Sequence, residues 1–414
     1  MIPNKIINLP IILILKLTKM NPILFDDQLR DNFLPLTFTR PVAELRLGIL
    51  TITKKWELYL KKSVSHFTQN YLKIKYPTVI SVGNLMINGR VLPNPELIEE
   101  ILNLKKGEIL ISAGMPVAVW LNDRQISEFN PENTNGFKIR EVKSAFEKIT
   151  NIWEIFTTAG KEIERDFALI THGRKSEPLS NTLNTLQPER IFLEKGAKAE
   201  FATLNPDGGF IYIGKDAEIM EGALIRGSFA LGNHSIVKMG AKIYGPTVVG
   251  PHSRVGGEIN NSVILGFSNK GHDGFLGNSV LGEWCNIGAD SNNSNLKNNY
   301  ADVKLWNYTK KGFINTGLQF CGLIMGDHSK CGINTMFNTG TVVGVSANIF
   351  GDGFPRNFVP SFSWGGAAGF TTYSIPKAFE TAEKVVERRG LVFDTIEQDI
   401  LKKVFELTAE FRMK

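Results

Sequence analysis

Every sixth residue from Ile213 is aliphatic, through Ile219, Ile225, Leu231, Val237, Ile243, Val249 and Val255, without a miss. With aliphatic residues at roughly a quarter of ordinary positions, such a run has a chance probability on the order of 10⁻⁵, so it is a repeat. Small residues stand four places after most of them, at Ala217, Ala223, Ser235, Ala241, Thr247 and Ser253, as the corners of a tight triangular coil require. Glycine follows the aliphatic at Gly214, Gly232 and Gly250. That spacing makes three hexapeptides one turn, and positive-φ corners are expected at these glycines. Hexapeptide periodicity belongs to β-helices, whereas leucine-rich repeats run to roughly 20–29 residues. The fold expected over 191–360 is therefore a left-handed parallel β-helix, held by its central aliphatic column and by coil-on-coil stacking.

The register breaks near Asn260 and Asn261, resumes at Leu276, Leu281 and Ile287, each followed by glycine, and leaves again through an Asn-rich segment, 291–300. It returns at Met325, Cys331, Phe337, Val343 and Ile349, with Ser329, Thr335, Thr341 and Ala347 at the small position. Two amphipathic stretches, 377–388 and 395–411, make 376–413 a pair of C-terminal helices that cap or buttress the solenoid.

The region 20–171 has a different texture. Short apolar runs (77–82, 108–112) alternate with helically spaced ones (95–104), which is an α/β pattern. A polar stretch, 172–190, reads as a linker or strap. The apolar run at 8–17 is too short for a bilayer-spanning helix and is broken by Lys16. Met20 opens a more regular strand, so 1–19 is expected to be an upstream extension.

Charge and cysteine narrow the function classes. A formal net charge of +6, spread without dense runs, argues against a nucleic-acid or membrane surface and for an anionic small molecule. Cys285, Cys321 and Cys331 have no metal-ligand spacing and an odd count, which fits free thiols in a reducing cytoplasm.

The segment Ser268-Asn269-Lys270-Gly271-His272-Asp273-Gly274-Phe275-Leu276-Gly277, followed by Leu281-Gly282 and Asn286-Ile287-Gly288-Ala289, resembles the acetyltransferase site of the bifunctional UDP-N-acetylglucosamine diphosphorylase/glucosamine-1-phosphate N-acetyltransferase family, in a divergent Bacteroidetes-type branch. The resemblance implies His272 as general base, with Lys270, Phe275, Asn286 and Asn295 contacting the substrate. Phe275 stands where the family has tyrosine, and the family lysine is displaced by one position to Lys270. The chemistry agrees: a base removes the acceptor's proton as it attacks a thioester, imidazole titrates near neutrality, and amide donors hold the oxyanion. His234, His252 and His328 read as structural or exposed corner residues. The fold further implies a homotrimer, with acetyl-CoA as co-substrate between coils and its phosphates on Lys330 and Arg356.

The N-terminal half resembles a nucleotidyltransferase less closely. Leu34-Pro35-Leu36-Thr37-Phe38-Thr39-Arg40-Pro41 keeps Thr-Arg-Pro without the glycines of a phosphate loop, and Ile87-Asn88-Gly89-Arg90 has Arg90 where a metal-binding aspartate is expected. Arg40, Arg46 and Lys55 are the nucleotide-binding candidates, with Asp26 or Asp27 as substitute ligands for Mg²⁺ if this half is active. The reading is an acetyl-CoA-dependent N-acetyltransferase acting on an amino-sugar phosphate or sugar nucleotide in cell-envelope synthesis. Two alternatives stay open: a nucleotidyltransferase with a purely structural trimerising β-helix, and a non-catalytic sugar-nucleotide-binding regulator.

Overall fold

The computed structural model describes residues 20–412, so the expected upstream extension at 1–19 lies outside the described residues. The chain forms two compact units that alternate in sequence: 20–33, 40–45 and 50–150 make the first, and 34–39, 46–49 and 151–412 the second.

The first unit is built on a mixed sheet in the order Ser65–Phe67, Asn21–Phe25, Gly83–Asn88, Met115–Asn122, Glu108–Ser112, Lys138–Glu141. The first three strands are parallel, and Met115–Asn122 runs antiparallel to both its neighbours. Gly83–Asn88 is buried along its whole length, as a central strand covered on both faces must be. Helix Pro95–Leu102 starts where Asn94 accepts the Leu97 N–H at 2.8 Å and Pro95 supplies its fixed φ, and it buries Leu97, Ile98, Ile101 and Leu102 on one stripe. The apolar run 77–82 is not a strand. Val79, Ile80 and Val82 are exposed, and the strand begins at Gly83.

The second unit is a parallel β-solenoid with three faces. The longest face stacks Ile191–Leu193, Ile211–Ile213, Phe229–Leu231, Thr247–Val249, Val263–Gly266, Val280–Glu283, Leu323–Met325, Thr341–Val343 and Phe358–Val359, each hydrogen-bonded to the next. All eight aliphatics of the run from Ile213 to Val255 are at most 1% exposed, and so are the six small corner residues that follow them. Above Val255 the coils shorten. Val255 pairs with Lys270, 15 residues on, so Lys270 occupies a position of the central column and the sixfold pattern is lost.

Gly214, Gly232 and Gly250 serve a purpose other than the expected one, because none has positive φ. A Cβ at Gly232 would stand 2.6 Å from the Pro251 nitrogen, and at Gly214 2.7 Å from that of Asn233, so glycine is required by the backbone of the next coil. Positive φ falls two residues later, on Asp216, His234 and His252.

Asn292–Asn293 of the Asn-rich segment stays in the solenoid, paired with Met336–Phe337, and the excursion after it carries an antiparallel hairpin, Lys304–Asn307 with Gly312–Asn315, that the periodicity did not reveal. Its Trp306 stacks on Phe358, with centroids 4.2 Å apart. Helix Ala159–Thr171 packs on the solenoid through Phe167, stacked 4.5 Å from Phe210, and Asn184–Thr185 of the expected strap pairs with Thr203–Leu204 as solenoid strand. The expected C-terminal helices are Ile375–Glu387 and Thr395–Leu407, the second capped by Asp394 accepting from Glu397 N–H.

Candidate functional site

On one face of the solenoid the register aligns Arg254, Asn269, Asn286 and Lys330 on successive coils. Their neighbours at Val255, Lys270, Ile287 and Cys331 are buried in the interior, so alternation along each short strand turns this aligned set outward. It forms the floor of a groove of about 640 Å³. His272 lies on the groove's border in the corner after strand Asn269–Lys270, exposed, with Asn286 and the backbone of Gly288 also lining the space.

What fixes the His272 loop is beneath it. Lys270, 1% exposed, donates through Nζ to the carbonyls of Gly256 at 3.1 Å, His272 at 2.5 Å and Asp273 at 3.2 Å. Its role therefore differs from the expected one: an ammonium inside the solenoid holds the loop and does not reach a substrate. Burial pushes Lys270 down to about 8, against the pull of Asp273. Gly257, at φ +70°, seats the loop from the coil before, since a Cβ there would stand 2.7 Å from the His272 carbonyl oxygen.

Of the expected site residues, His272, Asn286 and Lys330 share this groove. Phe275 and Asn295 come together elsewhere, around Gly277, with the Asn295 amide donating to Asn278 Oδ1 at 2.7 Å. Arg356 is exposed beside Lys297, Lys304 and Trp306, in a different depression from Lys330. Lys330 Nζ donates to the His328 carbonyl at 2.8 Å, and burial pushes it down to about 8. The three cysteines are free and buried, and burial pushes Cys285 and Cys321 up to about 12, so neither is a nucleophile.

Two features escaped sequence reasoning. The first is a ladder of rings at one corner, where His234, His252, Phe267, Trp284 and His328 stack in succession at 4.4–6.1 Å, all with positive φ. Phe267 and Trp284 of this ladder wall the groove. The eighteen-residue step from His234 to His252 was a legible signal, but the shortened coils hid the rest. The second is a group of arginines, Arg254, Arg388 and Arg389, at the same groove; nothing in the repeat marks them as neighbours.

In the first unit, the turns after strands Asn21–Phe25 and Gly83–Asn88 carry the expected metal-site residues at the carboxyl ends of parallel strands, where open α/β sheets bind ligands. Asp27 is taken up by Arg90, whose Nε lies 2.9 Å from Oδ1, and by Asn88 Nδ2 at 2.9 Å. Asp26 accepts from Val42 N–H at 2.9 Å and Thr68 Oγ1 at 2.5 Å, with Arg30 Nε 3.4 Å away; burial raises its carboxyl above the ordinary value. Both carboxylates are thus saturated by protein donors and do not fit Mg²⁺, and among the described residues no cluster of metal-binding side chains occurs. Arg40 and Lys55 are buried, 4% and 3% exposed, and Arg46 donates to the carbonyls of Leu265 and Ile49, so the expected nucleotide contacts are occupied within the fold. Within the first unit Glu44 lies 3.1 Å from His66 Nε2; burial opposes its ionisation, but the His66 hydrogen bond and Arg40's charge hold it below the ordinary value.

Residues 22–175 match the family described as sugar nucleotidyl transferase. A bifunctional sugar-1-phosphate nucleotidylyltransferase/acetyltransferase from Sulfurisphaera tokodaii is 35% identical over 144 residues, covering 34% of this chain and 35% of that relative. The chain thus matches about a third of that relative's length. Among solved structures, a polySia-specific acetyltransferase has a TM-score of 0.25 at 15% identity, covering 47% of this chain and 87% of that one. A UDP-N-acetylglucosamine acyltransferase from Arabidopsis has a TM-score of 0.23 at 15% identity, covering 57% of this chain and 94% of that one. The Campylobacter jejuni enzyme of that name has a TM-score of 0.21 at 16% identity, covering 57% and 92%. No helix among the described residues is long and apolar enough to cross a membrane.

Proposed function

We propose that the solenoid transfers an acetyl group from acetyl-CoA to an amine or hydroxyl of a sugar phosphate or sugar nucleotide. The observation that carries this is His272: an exposed imidazole on a stapled loop, at the border of a groove that also holds Asn286 and Lys330. The acceptor's nucleophile attacks the thioester carbonyl while His272 takes its proton. The tetrahedral oxyanion is met by an amide donor, the Asn286 side chain or a backbone N–H of the Gly288 turn. As the carbon–sulfur bond breaks, the proton on His272 passes to the leaving thiolate.

The bifunctional relative lends support, since its name joins nucleotidylyl and acetyl transfer in one chain. Assembly as a homotrimer fits the separation of the two residue groups, with Phe275 and Asn295 serving a neighbouring copy's groove. In the first unit Arg90 already neutralises Asp27, which speaks against metal-dependent transfer there. The experiment is release of CoA thiol from acetyl-CoA with a panel of amino-sugar phosphates and sugar nucleotides. Release that depends on one acceptor class is expected. Release that no acceptor raises above the hydrolytic background contradicts the proposal.

A further inference from the structure

Part of the groove's lining comes from helix Ile375–Glu387, with Thr381 and Val385, and from the two arginines that follow it. Arg389 Nη2 donates to Asn269 Oδ1 at 3.0 Å, which ties the helix end to the aligned set that carries Asn286. Phe393, just beyond, meets His328 edge-on at 6.1 Å and Phe379 at 5.5 Å, pinning the turn between the two C-terminal helices. From the solenoid side Arg254 and Lys238 face the same space.

Among the described residues no carboxylate lines this groove, and none of these four cations is in an ion pair. Burial, with Arg254 and Arg388 adding their charge, pulls Arg389 below its ordinary value. Partly desolvated like charges oppose one another unless an anion joins them. The planar forks of paired arginines match phosphate oxygens in particular.

We propose that Arg388 and Arg389 on the helix end, with Arg254 and Lys238 on the solenoid, form a phosphate clamp within a single chain, gripping the diphosphate of a ligand whose reactive end reaches His272. The clamp rests on the acyl-transfer reading for what lies at that reactive end. The diphosphate belongs either to CoA or to a nucleotide-activated sugar, and binding distinguishes them.

The test is calorimetric titration of the full chain with CoA and, separately, with UDP-N-acetylglucosamine. It compares the parent, Arg388→Ala/Arg389→Ala, Arg388→Lys/Arg389→Lys and Arg254→Ala. For one probe, the double alanine variant is expected to weaken affinity about 10-fold or more, with a shallower salt dependence, and the lysine pair to recover most of the loss. Arg254→Ala, on the solenoid side, is expected to lose affinity for that same probe, which separates the clamp from misfolding of the helix pair. Neither probe binding the parent, or alanine variants binding as the parent does, overturns the clamp. His272→Ala keeps the two proposals apart: intact binding with unchanged turnover sinks acyl transfer by His272 and leaves the clamp standing.

Discussion

For the anion proposed to bind in the groove, Lys330 would make binding depend on pH. Its ammonium lies at the groove and bonds to the His328 carbonyl, and burial has pushed it down to about 8. Cys285 itself is held neutral, pushed up to about 12 by burial with Asp327 adding. As pH rises through about 8 the groove therefore loses a cation, and bound anion is linked to a bound proton. Titration of CoA at pH 7 and pH 9, at fixed ionic strength, is expected to show affinity falling roughly fivefold, the factor of a charge contact of about 1 kcal/mol. In Lys330→Met the affinity is low and flat across this range. At this scale the sequence could single out His272 as a candidate, whereas the burial of Lys270 was not legible: a shortened coil moved a lysine into the column that Val237 and Val255 occupy in the coils before it.

At the scale of elements, the solenoid was readable because each buried aliphatic repeats one backbone environment. The sequence misled where one glycine symbol covers two physical demands. Gly232 is glycine because a neighbouring coil leaves no room, Gly240 because φ is +69° with open space around it. Gly232→Ala forces backbone against the Pro251 nitrogen and is expected to cost roughly 1–3 kcal/mol or more. Gly240→Ala is expected to cost about 1–2 kcal/mol, the left-handed penalty alone. Thermal unfolding of the two variants checks the order, and a Gly240 variant less stable than the Gly232 variant contradicts the packing account. The hairpin Lys304–Asn307/Gly312–Asn315 was invisible because its contacts, Trp306 on Phe358 and Tyr308 against Phe411, are made across long sequence separations. The apolar run 77–82 forms no strand for the opposite reason: it has no partner strand and remains irregular.

For the whole molecule, the two units differ in what they can do. The first contains most of the residues that match the sugar nucleotidyl transferase family, but its Asp26 and Asp27 carboxylates are occupied by Arg90, Asn88 and Thr68. Diphosphate release from UTP with sugar 1-phosphates and Mg²⁺ is accordingly expected to stay at background; metal-dependent release would mean that the Asp27–Arg90 pair opens. The second has a groove with an exposed imidazole, amide donors and cations that, among the described residues, make no ion pair. Part of this was legible in the sequence: Arg90 stands where a metal-binding aspartate is expected, while the groove needed the solenoid's register and the C-terminal helix before its residues became neighbours.

In the proposed acyl transfer His272 is the base. The most direct measurement is the rate of CoA thiol release by His272→Ala and by the parent with the best acceptor, with CoA affinity measured on both. The expected result is kcat lower by about 10²- to 10⁴-fold with CoA affinity unchanged. A variant that turns over at the parent's rate would contradict the account.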